Sequence, residues 1–149
     1  MRRERDKHVW FMVASDTAEA FRWEPFLRDK QTTFWWIRRL PRNFKAAAEE
    51  DLILCYRSGA VKRGLVGIAE VEQSFNDDGI SVRGLCAFKR MIPYEAFKEH
   101  PLYLTTEAGR LRNRGTLFSV DRPFAEWVST VLTANGDWQA ARCLTDFIK

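Results

Sequence analysis

Two apolar runs set close together constrain this chain most. Asp51–Tyr56 (Asp-Leu-Ile-Leu-Cys-Tyr) and Gly64–Val71 (Gly-Leu-Val-Gly-Ile-Ala-Glu-Val) are separated only by the polar, glycine-bearing stretch Arg57–Arg63. A parallel pair needs a crossover of about a dozen residues or more, so this short linker forces an antiparallel hairpin. A doubly wound α/β fold, built on regular helical crossovers, is thereby disfavoured. Gly64 and Gly67, three apart inside the second run, read as close packing at a bulge or bend.

The rest of the chain fits the same architecture. Val9–Ala14 reads as a buried strand, and Ser15 or Asp16 as the cap of a helix from Thr17 to about Leu27. Thr32–Ile37 reads as a second strand, and Pro41 as the opening of a short helix through Asn43–Ala48. Asn76–Gly79 is a turn, Ile80–Met91 alternates as a strand, and Pro93–Lys98 suits a short helix. Residues 101–115 read as irregular, Thr116–Val120 as a last strand, Asp121 to about Leu132 as a capped helix, and Trp138–Ile148 as a final one. Five or six short strands with small helices between them make an α+β domain around a curved sheet.

Composition bounds what such a domain does. With 149 residues, 46% hydrophobic and 30% charged, the chain is expected to form one domain over residues 1–149 with a core of its own, Met1–His8 being a charged, flexible lead-in and 134–149 an extra C-terminal helix. No apolar run approaches the roughly 20 residues of a membrane span. Cys55, Cys86 and Cys143 are odd in number and lie in apolar contexts, as reduced thiols of a cytoplasmic protein do. Neither a CxxC nor a histidine pair at ligand spacing occurs, so neither a metal nor a cofactor is expected. His8 and His100 read as surface residues, and no GxSxG, HExxH or phosphate-loop motif is present, which is poor material for an enzyme.

The charges point elsewhere. Arginine outnumbers lysine 17 to 7 within a net charge of +4, and guanidinium forks suit phosphates and stack on bases. Residues 38–63 hold seven basic and three acidic residues, so this segment alone matches the excess of the whole chain. Arg38, Arg39 and Arg42 follow the pair Trp35-Trp36, while Arg57, Lys62 and Arg63 sit on the hairpin loop; together they would make a basic rim. Arg110, Arg112 and Arg114, on alternate positions, form a second candidate phosphate contact. Adjacent strand residues point to opposite faces, so only one of Trp35 and Trp36 can be core if one face is buried.

In order and spacing, Trp10–Ser15, Trp35-Trp36-Ile37-Arg38, Asp51–Gly59, Gly64–Val71 and Leu117–Phe124 resemble the EVE domain, which is related to the YTH domain within the PUA-like group. The resemblance spans residues 9 to about 132. Trp36 stands where that family keeps a glycine, Arg39 where it keeps an asparagine, Glu50 at its glycine and Leu117 at its arginine. The resemblance implies a PUA-like pseudo-barrel of five to six strands and a non-enzymatic reader that holds a modified, for example methylated, base of DNA or RNA in an aromatic pocket. The positions matching that pocket are Trp35, Trp36, Ser15, Asp16, Tyr56 and Ser58, with Arg38, Arg39, Arg42, Arg57, Arg63, Arg112 and Arg114 towards the backbone. Two other readings stay open. An enzyme would use the same pocket with a titratable group such as Asp16 or an inward Glu70; an interaction module would present Trp36, Trp127 or Trp138 as a homodimer seam.

Overall fold

Strand alternation decides which side chains meet. The computed structural model describes residues 7–15, 21–36, 43–59 and 62–148. Its strands are β1 (Val9–Ser15), β2 (Thr32–Trp36), β3 (Leu52–Ser58), β4 (Gly64–Asn76), β5 (Gly79–Pro93) and β6 (Leu117–Val120). They form one sheet in the order β2-β5-β4-β3-β1-β6. β3 and β4 pair antiparallel as the short linker requires, and β1 runs parallel to β3. The helices are α1 (Trp23–Arg28), α2 (Pro101–Leu104), α3 (Glu107–Arg110), α4 (Arg122–Ala134) and α5 (Trp138–Ile148). The sheet is mixed and open, with helices on both faces, an α+β architecture of the PUA-like kind.

Each face of the sheet carries its own core. Trp10, Met12, Ile53, Cys55, Ala69, Val71, Ile80 and Val82 point to one side, where α1 adds Trp23, Phe26 and Leu27. The alternate residues Val9, Phe11, Leu52, Leu54 and Tyr56 point to the other, under α4 and α5. Register shifts along β4, between Leu65 and Gly67 and again between Ile68 and Ala69, bend the strand. α1 lies so close that a Cβ on Gly67 would stand 2.5 Å from Leu27 Cδ1, and one on Gly84 would stand 2.4 Å from the Phe26 carbonyl oxygen. Only glycine admits that approach.

Several element boundaries differ from the sequence expectation. α1 begins at Trp23, after an extended Arg22, because Pro25 can donate no amide and is tolerated only in a first turn. Ser15 is the last residue of β1, and Asp16–Ala20 of the expected cap and helix lie outside the described residues. Asn43–Ala46 makes a single turn closed by hydrogen bonds from the Ala46 and Ala47 amides to the Asn43 carbonyl, not a helix. The stretch 101–115 is not irregular throughout: His100 Nδ1 caps α2 and the Thr106 hydroxyl caps α3. Asp121 holds the N-cap position of α4 without a side-chain cap bond.

Candidate nucleic-acid interface

β2 separates its two tryptophans as alternation demands. Trp35, opposite Ile80 of β5, points into the α1 core and is 6% exposed. Its indole stacks on Trp23 at 5.9 Å and meets Phe21 edge-on at 5.0 Å. Trp36, opposite Gly79, points the other way and is 58% exposed, with the Phe34 ring edge-on at 4.8 Å. The pair therefore cannot share one pocket wall.

The aromatic wall reaches the end of β1. Trp23 Nε1 donates to the Ala14 carbonyl at 3.2 Å, so the exposed Ser15 lies one residue beyond the Trp23–Trp35 stack. In the parallel register Ser15 stands beside Ser58, the last residue of β3. Ser15 and Ser58 thus share one end of the sheet and, two residues after Val13 and Tyr56, fall by alternation on the face opposite Trp35. The Trp35 ring reaches that end through the contact of Trp23 with Ala14. Asp16, Arg38, Arg39 and Arg42 lie outside the described residues.

Tyr56 shares the face of Ser58. It sits on the face opposite Trp35, 3% exposed, stacked on Phe11 at 5.2 Å. Burial pushes its pKa up to about 12. The arginines crowd the same end of the sheet. Arg57 Nε donates to the Lys62 carbonyl at 2.8 Å, which staples the hairpin loop. Arg63 lies over the Tyr94 ring at 4.8 Å and pairs with Glu95 at 3.6 Å. Arg112 and Arg114 are exposed on a segment tied to β1 by the Val13 amide, which donates to the Thr116 carbonyl at 2.8 Å.

The opposite end of β1 and β3 has the other sign. A cavity of about 550 Å³ there is lined by Glu49, Glu50, Glu70, Glu72 and Asp146 against Lys7 and Arg83. Glu70 accepts the Arg83 guanidinium at this acidic end, on the α5 face and not on the face of Trp35. The fully buried acid, Asp51, accepts from the His8 amide at 3.0 Å and from Trp10 Nε1 and the Ala48 amide, each at 2.9 Å. Its partners are structural. Burial raises the thiols of Cys55, Cys86 and Cys143, Cys86 to about 11, which leaves them poor nucleophiles at neutral pH.

Sequence reasoning missed Phe21 and Asn113. Nothing in the sequence marks Phe21 as a partner of Trp35, and Asn113 gains its role from the Tyr103 hydroxyl of α2. Trp127 stacks on Phe124 at 5.7 Å, whereas Trp138 is 64% exposed. No helix among the described residues is long and apolar enough to cross a membrane.

Residues 8–85 match the EVE domain family. Among solved structures, the chain is similar to a hypothetical protein from Leishmania major, with 16% identity, a TM-score of 0.75, and coverage of 90% of this chain and 99% of that one. It is also similar to the human THYN1 protein in complex with 5-methylcytosine containing DNA, with 17% identity, a TM-score of 0.68, and coverage of 85% and 98%. A third likeness is to protein PSPTO5229 from Pseudomonas syringae, at 15% identity and a TM-score of 0.69, covering 83% and 99%. A search of curated protein sequences finds no match.

Proposed function

The chain belongs to the EVE domain family, and from that premise we propose that it is a non-enzymatic nucleic-acid-binding domain that reads a modified base. The observation that carries this reading is the Trp23–Trp35 stack, with Phe21 against it, which reaches the Ala14 carbonyl one residue before Ser15 at the basic end of β1. A base turned out of its strand meets an aromatic wall there, and stacking on such a wall is worth roughly 1–3 kcal/mol per base. A methyl group adds apolar area and strengthens that contact in a water-poor site. The Ser15 and Ser58 hydroxyls can donate to and accept from the base edge, with Asp16 following Ser15 in the chain. Arg57, Arg63, Arg112 and Arg114, together with Arg38, Arg39 and Arg42, grip phosphates and set register without reading sequence. Trp36, on the outer face, contacts the strand outside the pocket. The human neighbour bound to DNA containing 5-methylcytosine supports the choice of partner.

The test is fluorescence anisotropy with a short DNA duplex carrying one 5-methylcytosine, its unmodified twin, and RNA of the same sequence. Wild type should prefer the methylated probe. Trp35→Phe, which keeps an aromatic core, should lose most of that preference while still melting cooperatively. Equal affinity of wild type for methylated and unmodified probes in both DNA and RNA would sink the reading.

A further inference from the structure

The segment after α3 is held in an unusual shape. Arg112 and Asn113 have φ of 52° and 57°, two consecutive left-handed residues other than glycine, and Gly115 follows at 142°. A Cβ disfavours this conformation, and such strain persists only where the surroundings over-determine it. Here the determinants are visible. Tyr103 is 1% exposed, and its hydroxyl donates to Asn113 Oδ1 at 2.6 Å. The Asn113 amide donates to the Ala108 carbonyl at 2.9 Å, and the Thr116 carbonyl accepts from Val13 at 2.8 Å.

Val13 and Tyr56 face each other in the β1–β3 register, two residues before Ser15 and Ser58. The segment is therefore stitched to β1 just short of its serine tip. Of its three alternate arginines, Arg110 is tied back to the Thr105 carbonyl at 2.5 Å, whereas Arg112 and Arg114 are exposed.

We propose that Tyr103 and Asn113 are positioning residues that fix Arg112 and Arg114 as an arm for two phosphates of a nucleic-acid strand, set before the partner arrives. The proposal rests on the nucleic-acid reading above. Fixing the turn in advance removes the ordering cost that a free loop would meet on binding. Because phosphate contacts carry no base information, the arm adds affinity and salt dependence while leaving base choice to the Trp35 wall.

The test measures affinity across a salt series for both the methylated and the unmodified duplex. Arg112→Gln with Arg114→Gln should lower the slope of log affinity against log salt by about 1.8, since each phosphate contact to duplex DNA contributes about 0.9. Tyr103→Phe removes one hydroxyl, and Asn113→Gly removes the amide while favouring the left-handed backbone. Each should melt cooperatively, lower the slope by about 1, and leave the ratio of methylated to unmodified affinity unchanged. If Tyr103→Phe fails to fold, Asn113→Gly carries the test, because glycine tolerates this conformation. A lowered melting temperature with a wild-type slope assigns the two residues a structural role only and overturns the proposal. So does a double arginine variant with the wild-type slope. Absence of methyl preference in wild type overturns the base reading instead and leaves this one standing, since the slope reads equally on unmodified duplex.

Discussion

On the α1 face of the sheet, the indole nitrogens of Trp10 and Trp23 each find an oxygen, the Asp51 carboxylate and the Ala14 carbonyl, and the surrounding core is apolar. On the α4–α5 face, the buried Tyr103 hydroxyl donates to the Asn113 side chain next to an arginine-bearing turn. The first face is a wall whose geometry comes from packing. The second ends in a polar knot whose geometry comes from hydrogen bonds. Packing loses several kcal/mol when a large ring is deleted, while a hydrogen bond loses much less, so the two regions should fail on different scales.

The comparison breaks most sharply at Trp23. This side chain is fully buried, stacks on Trp35 and packs against Phe21 and Phe26. Trp23→Ala should cost about 3–5 kcal/mol, read as a fall in the denaturant midpoint. Asp51→Asn comes next. The carboxylate serves three donors, two of them on Oδ2, and an amide nitrogen at either position turns an acceptor into a donor facing donors. The expected loss is about 1–3 kcal/mol, and the Trp10 emission spectrum should shift with it.

Alkaline pH separates the two faces gradually. Burial holds Tyr56 up at about 12 from 10.0, Cys86 at about 11 from 9.0, and Tyr103 higher still, all on the α4–α5 side. A group that keeps its proton longer when folded contributes stability that is complete below its unfolded pKa and is lost as pH rises through the folded value. Stability should therefore be level up to pH 9, then fall through pH 11 and 12. Tyr103→Phe should flatten the upper part of that fall, measured by melting temperature against pH. At neutral pH the same substitution should cost only about 0.5–1.5 kcal/mol.

These contrasts also mark how far the sequence was legible. The β3–β4 hairpin was readable because both runs and their short linker are local. The opposite facing of Trp35 and Trp36 followed from alternation, yet which of them is buried depends on Trp23 arriving from α1. α1 starts at Trp23 and not at the expected Thr17, since Pro25 can donate no amide and suits only a first turn. Ser15 and Ser58 were picked by resemblance, and their adjacency depends on a parallel pairing that no local pattern encodes. The bond between Tyr103 and Asn113 spans only ten residues, but it needs α2 and the turn after α3 to fold back on each other. A tertiary contact of that kind leaves no period to read.

The smallest effect on stability is expected at Trp36, and it sharpens the comparison most economically. Trp36 is 58% exposed at the end of an edge strand, and its neighbour Trp35 is 6% exposed. Surface substitutions away from special features usually stay within about 0.5 kcal/mol, so Trp36→Ala should melt almost as wild type does. Trp35→Ala, one residue earlier, should lose about 3–5 kcal/mol. If Trp36 contacts the strand outside the pocket, its removal should weaken methylated and unmodified duplexes by the same factor. Trp35→Phe should instead change the ratio between them. A Trp36→Ala variant that alters the ratio would move the modified base to the outer face of β2, and the two faces would have to exchange roles.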